Sequence, residues 1–469
     1  MDIYMDIYGK SHVAASILSS SEQGIIYKTE EPNILLKLKW DPETQEIIKD
    51  INYNEKFDEI RILPIPKKTN LILPQAILKD AVGYTMKILD NMESFEKIFF
   101  YEDKEENKKL DNGWLRKIRK TNIDLENIFK QYILSGGIRK RIESYLKVAC
   151  ILSNIHANGL VYCNVSDKNM FVSKDLDKSN VCLIDCDNID YMKKTKENNV
   201  WEKGGFGAPE IIAGKGNTMY SDAYSFAISL FWTLTKKHPF MGRAIDESLK
   251  GEDFLDFLEE DYACTGQFAW IGDEKDKSNH SENGLPYNIF LSKKLNAYFS
   301  SVFSEKGRKN IRKRVTMPEW SYILAKESDS IIRCKNCNMD YYGDDFLNCP
   351  WCDFENKIIC VKSKKNKKGI YVENWKFKHE MYGYINVPLR ILSGFNNNSI
   401  EEKAFQIRCT EKEIEIRELS RWYYFSIIID DKEKPIYGST IIENKNNIEI
   451  YATYKKNNIR YKIEIEVQQ

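Results

Sequence analysis

Apolar residues recur three or four positions apart at Ile142, Tyr145, Leu146, Ala149, Leu152 and Ile155. That period predicts an amphipathic helix over 139–157, and Asn158-Gly159 supplies its stop. A second helix is predicted over Ser221 to Thr235. Its apolar run, Ala223 to Leu234, includes Ser and Thr and falls short of the roughly 20 apolar residues that span a bilayer. Earlier in the chain the runs are shorter. Gly24-Ile-Ile-Tyr27 and Ile34-Leu-Leu-Lys-Leu-Lys39, split by a polar turn, predict a hairpin. The charged stretch Glu46 to Arg61 predicts a helix, and Leu71-Ile-Leu and Gly83 to Leu89 predict two further strands. Residues 270–286 are polar and rich in turn formers, as loops are. Late in the chain the period changes to two, in Glu413 to Arg417, Tyr424 to Ile429, Ile448 to Ala452 and Arg460 to Glu466. Alternation with Asn- and Gly-containing turns predicts an antiparallel β domain, with a sandwich as its shape.

The fold class is therefore α+β: a small lobe of strands, a larger helical lobe, a small cysteine-rich module, then the β domain. The expected divisions are 10–327, 330–360 and 370–469, since 469 residues exceed one ordinary core. The run Lys362-Ser-Lys-Lys-Asn-Lys-Lys-Gly369 reads as a solvated linker, with a basic patch for nucleic acid as the alternative. Lys+Arg and Asp+Glu number 70 each, which removes any bulk attraction to nucleic acid or an anionic membrane. No charged-then-apolar leader opens the chain, so a cytoplasmic location is expected. The tandem Met1-Asp-Ile-Tyr-Met5-Asp-Ile-Tyr8 carries no legible function.

Cysteine use agrees with a reducing compartment. Of 11 cysteines, four form Cys334-Lys-Asn-Cys337 and Cys349-Pro-Trp-Cys352. Each Cys-x-x-Cys offers two thiolates at the bite that tetrahedral Zn²⁺ requires, and four thiolates leave no open position. The spacing points to a structural zinc ribbon that positions the β domain. A redox pair would need one such knuckle only, and a four-cysteine iron–sulfur site is the other alternative. Cys150, Cys163, Cys182, Cys186, Cys264, Cys360 and Cys409 read as core or surface thiols.

The segment from His156 through Tyr162-Cys163-Asn164 to Asn169, followed by Leu-Ile-Asp185-Cys-Asp, resembles the catalytic loop and metal-binding strand of the protein-kinase superfamily. More narrowly, it looks like bacterial stress- and defence-associated kinases that read Gly-Asp-Ile-Ser-Pro-x-Asn and Ile-Asp-x-Asp. The resemblance covers about two thirds of the chain and implies a two-lobed fold that binds ATP and Mg²⁺. It implies Asp185 and Asn169 as metal ligands and Lys37 as the phosphate lysine, with Lys39 on the same strand face as a competitor. Ser19, Ser21 and Gly24 stand at the glycine-loop positions, where only Gly24 keeps the glycine. Glu55, with Glu59 one turn on, matches the helix carboxylate that positions the lysine, and Met86 to Leu89 the interlobe hinge. Glu210 in Gly205-Phe-Gly-Ala-Pro-Glu210, Arg314 and Asp222 match bracing residues, and His156 is expected to pack beside the loop.

One departure falls at the catalytic position. Asn164 stands where the family has the Asp that receives the substrate's proton, and Cys163 replaces the adjoining Arg. Asp167, three residues on, is the nearest substitute carboxylate. Three readings follow. The first is an ATP- and Mg²⁺-binding, catalytically impaired or regulatory kinase-like protein. The second is an active Ser/Thr kinase acting on a protein partner, and the third an adaptor using the ribbon and β domain, including on nucleic acid. The resemblance further implies a bacterial signalling context with a phosphatase or regulatory protein encoded nearby, and no membrane partner.

Overall fold

The computed structural model describes residues 2–468 apart from 22–23, 42, 67–68, 101–112, 121, 196–199, 202, 249–258, 282–284, 382, 411, 430–431 and 445–446. The chain opens with a hairpin, β1 (Ile3–Met5) and β2 (Ser11–Val13), held by Asp6, which accepts from His12 Nε2 at 3.0 Å. A five-stranded antiparallel sheet follows, built from β3 (Ser16–Ser21), β4 (Gly24–Lys28), β5 (Ile34–Leu38), β6 (Ala76–Ile77) and β7 (Gly83–Lys87). Its order is β3-β4-β5-β7-β6. Alternation along β5 sorts the side chains: Leu36 and Leu38 join a small core on one face, while Leu35 joins the main core on the other. The predicted hairpin is therefore present, with Ile26 opposite Lys37.

Two local expectations fail here. The charged stretch is helical only from residue 51, as a short 3₁₀ turn over Ile51–Asn54 leading into α1 (Glu55–Arg61). Ile47 instead bridges Trp40, and the Asp50 side chain accepts from Asn52 N–H, setting the start five residues late. Leu71–Leu73 is not a strand of the sheet. Leu71 makes a single parallel bridge to Leu183 and Ile72 N–H donates to Leu183 O at 2.9 Å, so this segment fastens the small lobe to the large one. Pro74, without an N–H, cannot continue a ladder. The sheet's next strand begins at Ala76.

The large lobe is organised by α2 (Ile123–Leu134), α3 (Gly137–Ala157) and α4 (Met219–Thr235). The periodicity located α3 and α4 to within two residues. They are joined across their buried faces by Tyr145 OH, which bonds the hydroxyls of Ser229 and Thr233 at 2.6 and 2.7 Å. The predicted loops at 270–286 are loops where described.

After α5 (Met317–Ser328), a hairpin of Ile331–Arg333 and Asp340–Tyr342 carries Cys334 and Cys337 in its turn, and Cys349 and Cys352 follow it. A β-sandwich follows, with sheets of six and four antiparallel strands whose buried residues share one core, Phe405 of one lying 5.7 Å from Phe425 of the other between ring centres. All four segments of period-two alternation are strands. The lysine run is not a linker: Ile358–Lys367 is a strand in the six-stranded sheet, turning at Lys368-Gly369 into Ile370–Glu380. Val361 and Ser363 face the core, while Lys362 and Lys364 face outward onto Glu466 and Glu464, each at 2.8 Å. Outward lysines disguised a half-buried strand as a polar stretch. No helix is long and apolar enough to cross a membrane among the described residues.

The sandwich docks on the helical lobe through a buried ion pair. Arg390 Nε and Nη2 donate to Asp329 at 2.7 and 2.5 Å, and Trp375 Nε1 donates to the same carboxylate at 2.7 Å. Lys326 lies 3.7 Å from the centre of the Trp375 ring.

Candidate active site and cysteine cluster

Where the lobes meet, the turn after Leu183 places Asp185 in left-handed backbone (φ 53), a conformation Asp tolerates better than most side chains. Lys37 reaches down from β5 and donates to Asp185 Oδ1 at 2.5 Å and to Asp187 Oδ2 at 2.6 Å. The other oxygen of Asp187 accepts from Tyr84 OH at 2.5 Å, and Tyr84 lies opposite Lys37 on β7. Burial opposes the charge on Lys37, yet Tyr84, Asp187 and Asp185 outweigh it and hold the ammonium's pKa well above its usual value. Lys39 instead lies 5.3 Å from the Tyr53 ring centre, so the geometry separates the two candidate lysines.

Asn164 Nδ2 donates to Asp185 Oδ2 at 2.7 Å, and Asn169 Nδ2 donates to Asn164 O at 3.1 Å. Lys37, Asp185, Asn164 and Asn169 thus form one hydrogen-bonded chain. The Asn164 Oδ1 atom is buried and has no hydrogen-bond partner. The loop carrying Asn164 is braced from beneath by Asp222, which accepts from Tyr162 N–H at 2.8 Å, Cys163 N–H at 3.0 Å and His156 Nε2 at 2.9 Å. Cys163 sits in left-handed backbone (φ 69), and these bonds fix it there. Arg314 grips Glu210 with two bonds of 2.7 Å in a buried fork. Asp167 is buried, and its carbonyl accepts from Glu96 N–H.

The small-lobe candidates come together less completely. Glu55 is exposed on α1 and makes no ion pair with Lys37, while Glu59 pairs with Lys194 at 2.9 Å. Neither takes the role expected of the helix carboxylate. Met86 is a buried residue of β7 opposite Leu35, and the crossing to the large lobe begins only at Ile88. Ser19 and Ser21 lie exposed on β3, and the loop tip at 22–23 is outside the described residues. Gly24 is required by contact: a Cβ there would stand 2.4 Å from Leu38 O. A cavity of about 620 Å³ separates α1 from the sheet, lined by Lys37, Lys39, Tyr53, Glu55, Tyr84 and Asp187.

Sequence reasoning passed over Asp187 and Tyr84. Asp187 was visible in Ile-Asp-x-Asp, and the strand pairing that sets Tyr84 against Lys37 would have flagged the tyrosine.

The four cysteine sulfurs of the second site lie within 4.8 Å of one another, with Cys334–Cys352 and Cys337–Cys349 at 3.6 Å. Tetrahedral thiolates at about 2.3 Å from zinc stand about 3.8 Å apart, so the donor set fits such an ion. The two knuckles repeat one backbone design. Cys334 N–H donates to Met339 O and Asn338 N–H to Cys334 O; Cys349 N–H donates to Phe354 O and Asp353 N–H to Cys349 O. Asn338 and Asp353 both take φ 58, the left-handed residue that closes each turn. Trp351, inside the second knuckle, packs on Trp114, Phe129 and Phe290 of the large lobe at 4.9, 5.7 and 5.5 Å between ring centres.

Residues 114–321 match the family model of the protein kinase domain. Over those residues this chain is similar to a protein-kinase domain. A protein of Arabidopsis thaliana whose name reads "probably inactive receptor-like protein kinase" is 29% identical over 101 residues, 20% of this chain and 28% of that protein. Two serine/threonine-protein kinases of the same plant are 28% identical over 97 residues, 20% of this chain and 20% of each. The chain thus spans less than a third of the length of these relatives. The match to the kinase model, the C-terminal antiparallel sheets and the four-cysteine cluster together bear out the α+β reading and the resemblance to the protein-kinase superfamily.

Proposed function

We propose that this is a protein-kinase-like signalling protein that binds ATP with Mg²⁺ and is impaired in phosphoryl transfer. The observation that carries the proposal is the chain Lys37–Asp185–Asn164–Asn169: lysine and metal-ligand types are hydrogen-bonded together, and an amide occupies the position of the general base. The oxygens of Asp185 and Asn169 suit a hard divalent cation, which would neutralise phosphate charge when bound. An amide oxygen at position 164 can accept a hydrogen bond from a substrate hydroxyl but cannot take its proton. General-base contributions are typically on the order of 10²–10⁴ in rate, so turnover should be slow.

An active Ser/Thr kinase is the second reading. It draws on the same chain, because a loose phosphoryl-transfer transition state gains more from positioning and charge than from proton abstraction. The adaptor reading loses support, since Lys362 and Lys364 of its basic run are neutralised by Glu466 and Glu464. Zn²⁺ is assigned to the four cysteines, a protein serves as substrate or partner, and the setting is the cytoplasm of a bacterial signalling system.

Thermal stability measured with ATP tests the proposal. Stabilisation should need Mg²⁺, and the Asp185→Ala variant should lose that requirement. Stabilisation indifferent to both Mg²⁺ and Asp185→Ala would overturn it.

A further inference from the structure

We propose that Asp187 is the residue that positions Lys37, the task given to a helix carboxylate in the resemblance drawn above. This deepens the nucleotide-binding reading and rests on it for its meaning, though one arm of its test does not.

Three observations carry it. First, both helix candidates are committed elsewhere or turned outward: Glu59 to Lys194, Glu55 to the exposed face of α1. Second, Asp187 is held from both sides. One oxygen accepts from Lys37 at 2.6 Å and the other from Tyr84 at 2.5 Å, and Tyr84 is itself fixed by burial and an edge-on contact with Phe57, 4.9 Å between ring centres. A carboxylate with one oxygen anchored in the sheet presents the other at a fixed place. Third, Asp185 has a competing demand. Asn164 already takes Oδ2, and a divalent cation drawn to Asp185 would compete with Lys37 for Oδ1. Asp187 would keep the lysine tethered if Asp185 were engaged by such a cation. The lysine's position is thereby set within the sheet and the turn after Leu183, independently of where the seven-residue α1 lies.

Two readouts on full-length protein test this. In the first, an amine-reactive probe is applied without nucleotide and labelling at Lys37 is followed by mass spectrometry. Asp187→Asn should raise the labelling rate at Lys37 several-fold, Tyr84→Phe by less, and Glu55→Gln with Glu59→Gln not at all. In the second, Mg²⁺-ATP affinity is measured by titration calorimetry. Asp187→Asn should weaken it about tenfold, with the Glu55→Gln/Glu59→Gln protein unchanged, and Asp187→Glu should recover part of the loss. If labelling follows this pattern but wild-type protein binds no nucleotide, the nucleotide-binding reading fails and the positioning role stands. Faster labelling in the Glu55→Gln/Glu59→Gln protein, with Asp187→Asn silent, overturns the inference. So does loss of Mg²⁺ dependence in Asp187→Asn with Lys37 labelling unchanged, because Asp187 would then be a metal ligand rather than a tether.

Discussion

The two clusters of chemistry in this molecule are assembled in opposite ways. The cysteine cluster is local: four ligand-type residues within 19 positions, on two turns that repeat the same hydrogen bonds and the same left-handed residue. The interlobe cluster draws on β5, β7, the Asn164 loop and the Asp185 turn, and its central ion pairs join residues 148 and 150 positions apart. A local site is fixed by its spacing. A distributed one depends on how two lobes meet, so a single altered residue, such as Asn164, can change its chemistry while its frame persists. The frame here is intact, for Asp222 still braces the loop and Arg314 still grips Glu210.

The sharpest break in that comparison should come from the cysteines. Structural zinc sites contribute on the order of 10–16 kcal/mol to folding of small domains, because small modules lack a sufficient core. Cys349→Ser should lose the metal, seen by elemental analysis, and expose residues 330–360 to protease. Full metal retention would contradict the assignment.

A smaller effect should separate the metal from what it braces. Trp351→Ala removes the indole packed on Trp114, Phe129 and Phe290 but no sulfur. It should keep the metal and still destabilise the large lobe in denaturant unfolding, by less than the ~3–5 kcal/mol of a fully buried Trp→Ala, because Trp351 is only half-buried. Unchanged stability would show the ribbon to be a passenger on the lobe.

The seam between ribbon and lobe also gives a pH signature. Burial of Glu327 on α5 raises its carboxyl to about 7, with Ser292 bonding and Lys294 opposing and Asp345 and Asp344 of the cysteine module adding to the rise. In an unfolded chain a glutamate titrates near about 4.3, so the unfolded state loses its proton first as pH rises. Stability therefore falls between those two values and stays lower above them. Glu327→Gln should match wild type near pH 4 and exceed it at pH 8 by about 4 kcal/mol at most. A gain at low pH instead would contradict the assignment.

How much was legible follows the same division. The cysteine knuckles, α3, α4 and the late strands were readable because their signals repeat within a few residues. Lys362–Lys367 was misread because its outward lysines are neutralised by Glu464 and Glu466, about 100 residues away, which spacing along the chain does not show. Leu71–Leu73 was taken for a sheet strand because an apolar triplet looks alike whether it joins a sheet or bridges to Leu183. The kinase motifs placed Lys37, Asp185, Asn164 and Asn169 in one cluster. They also suggested Glu55 as the lysine's partner, where the fold supplies Asp187, because partner choice there depends on the seating of a short helix.

The most direct test of the central claim is the rate of phosphoryl transfer from labelled ATP, measured side by side in wild type, Asn164→Asp and Asp167→Ala. Asn164 Nδ2 now shields Asp185, so a carboxylate at 164 would face Asp185 across 2.7 Å and should need Mg²⁺ to be tolerated. With Mg²⁺ present, Asn164→Asp should raise the rate at least about tenfold, a barrier change of roughly 1.4 kcal/mol, while Asp167→Ala leaves the low wild-type rate unchanged. Loss of activity in Asp167→Ala, or an inert Asn164→Asp protein that still binds ATP and Mg²⁺, would contradict the claim that the missing carboxylate at 164 limits this kinase domain.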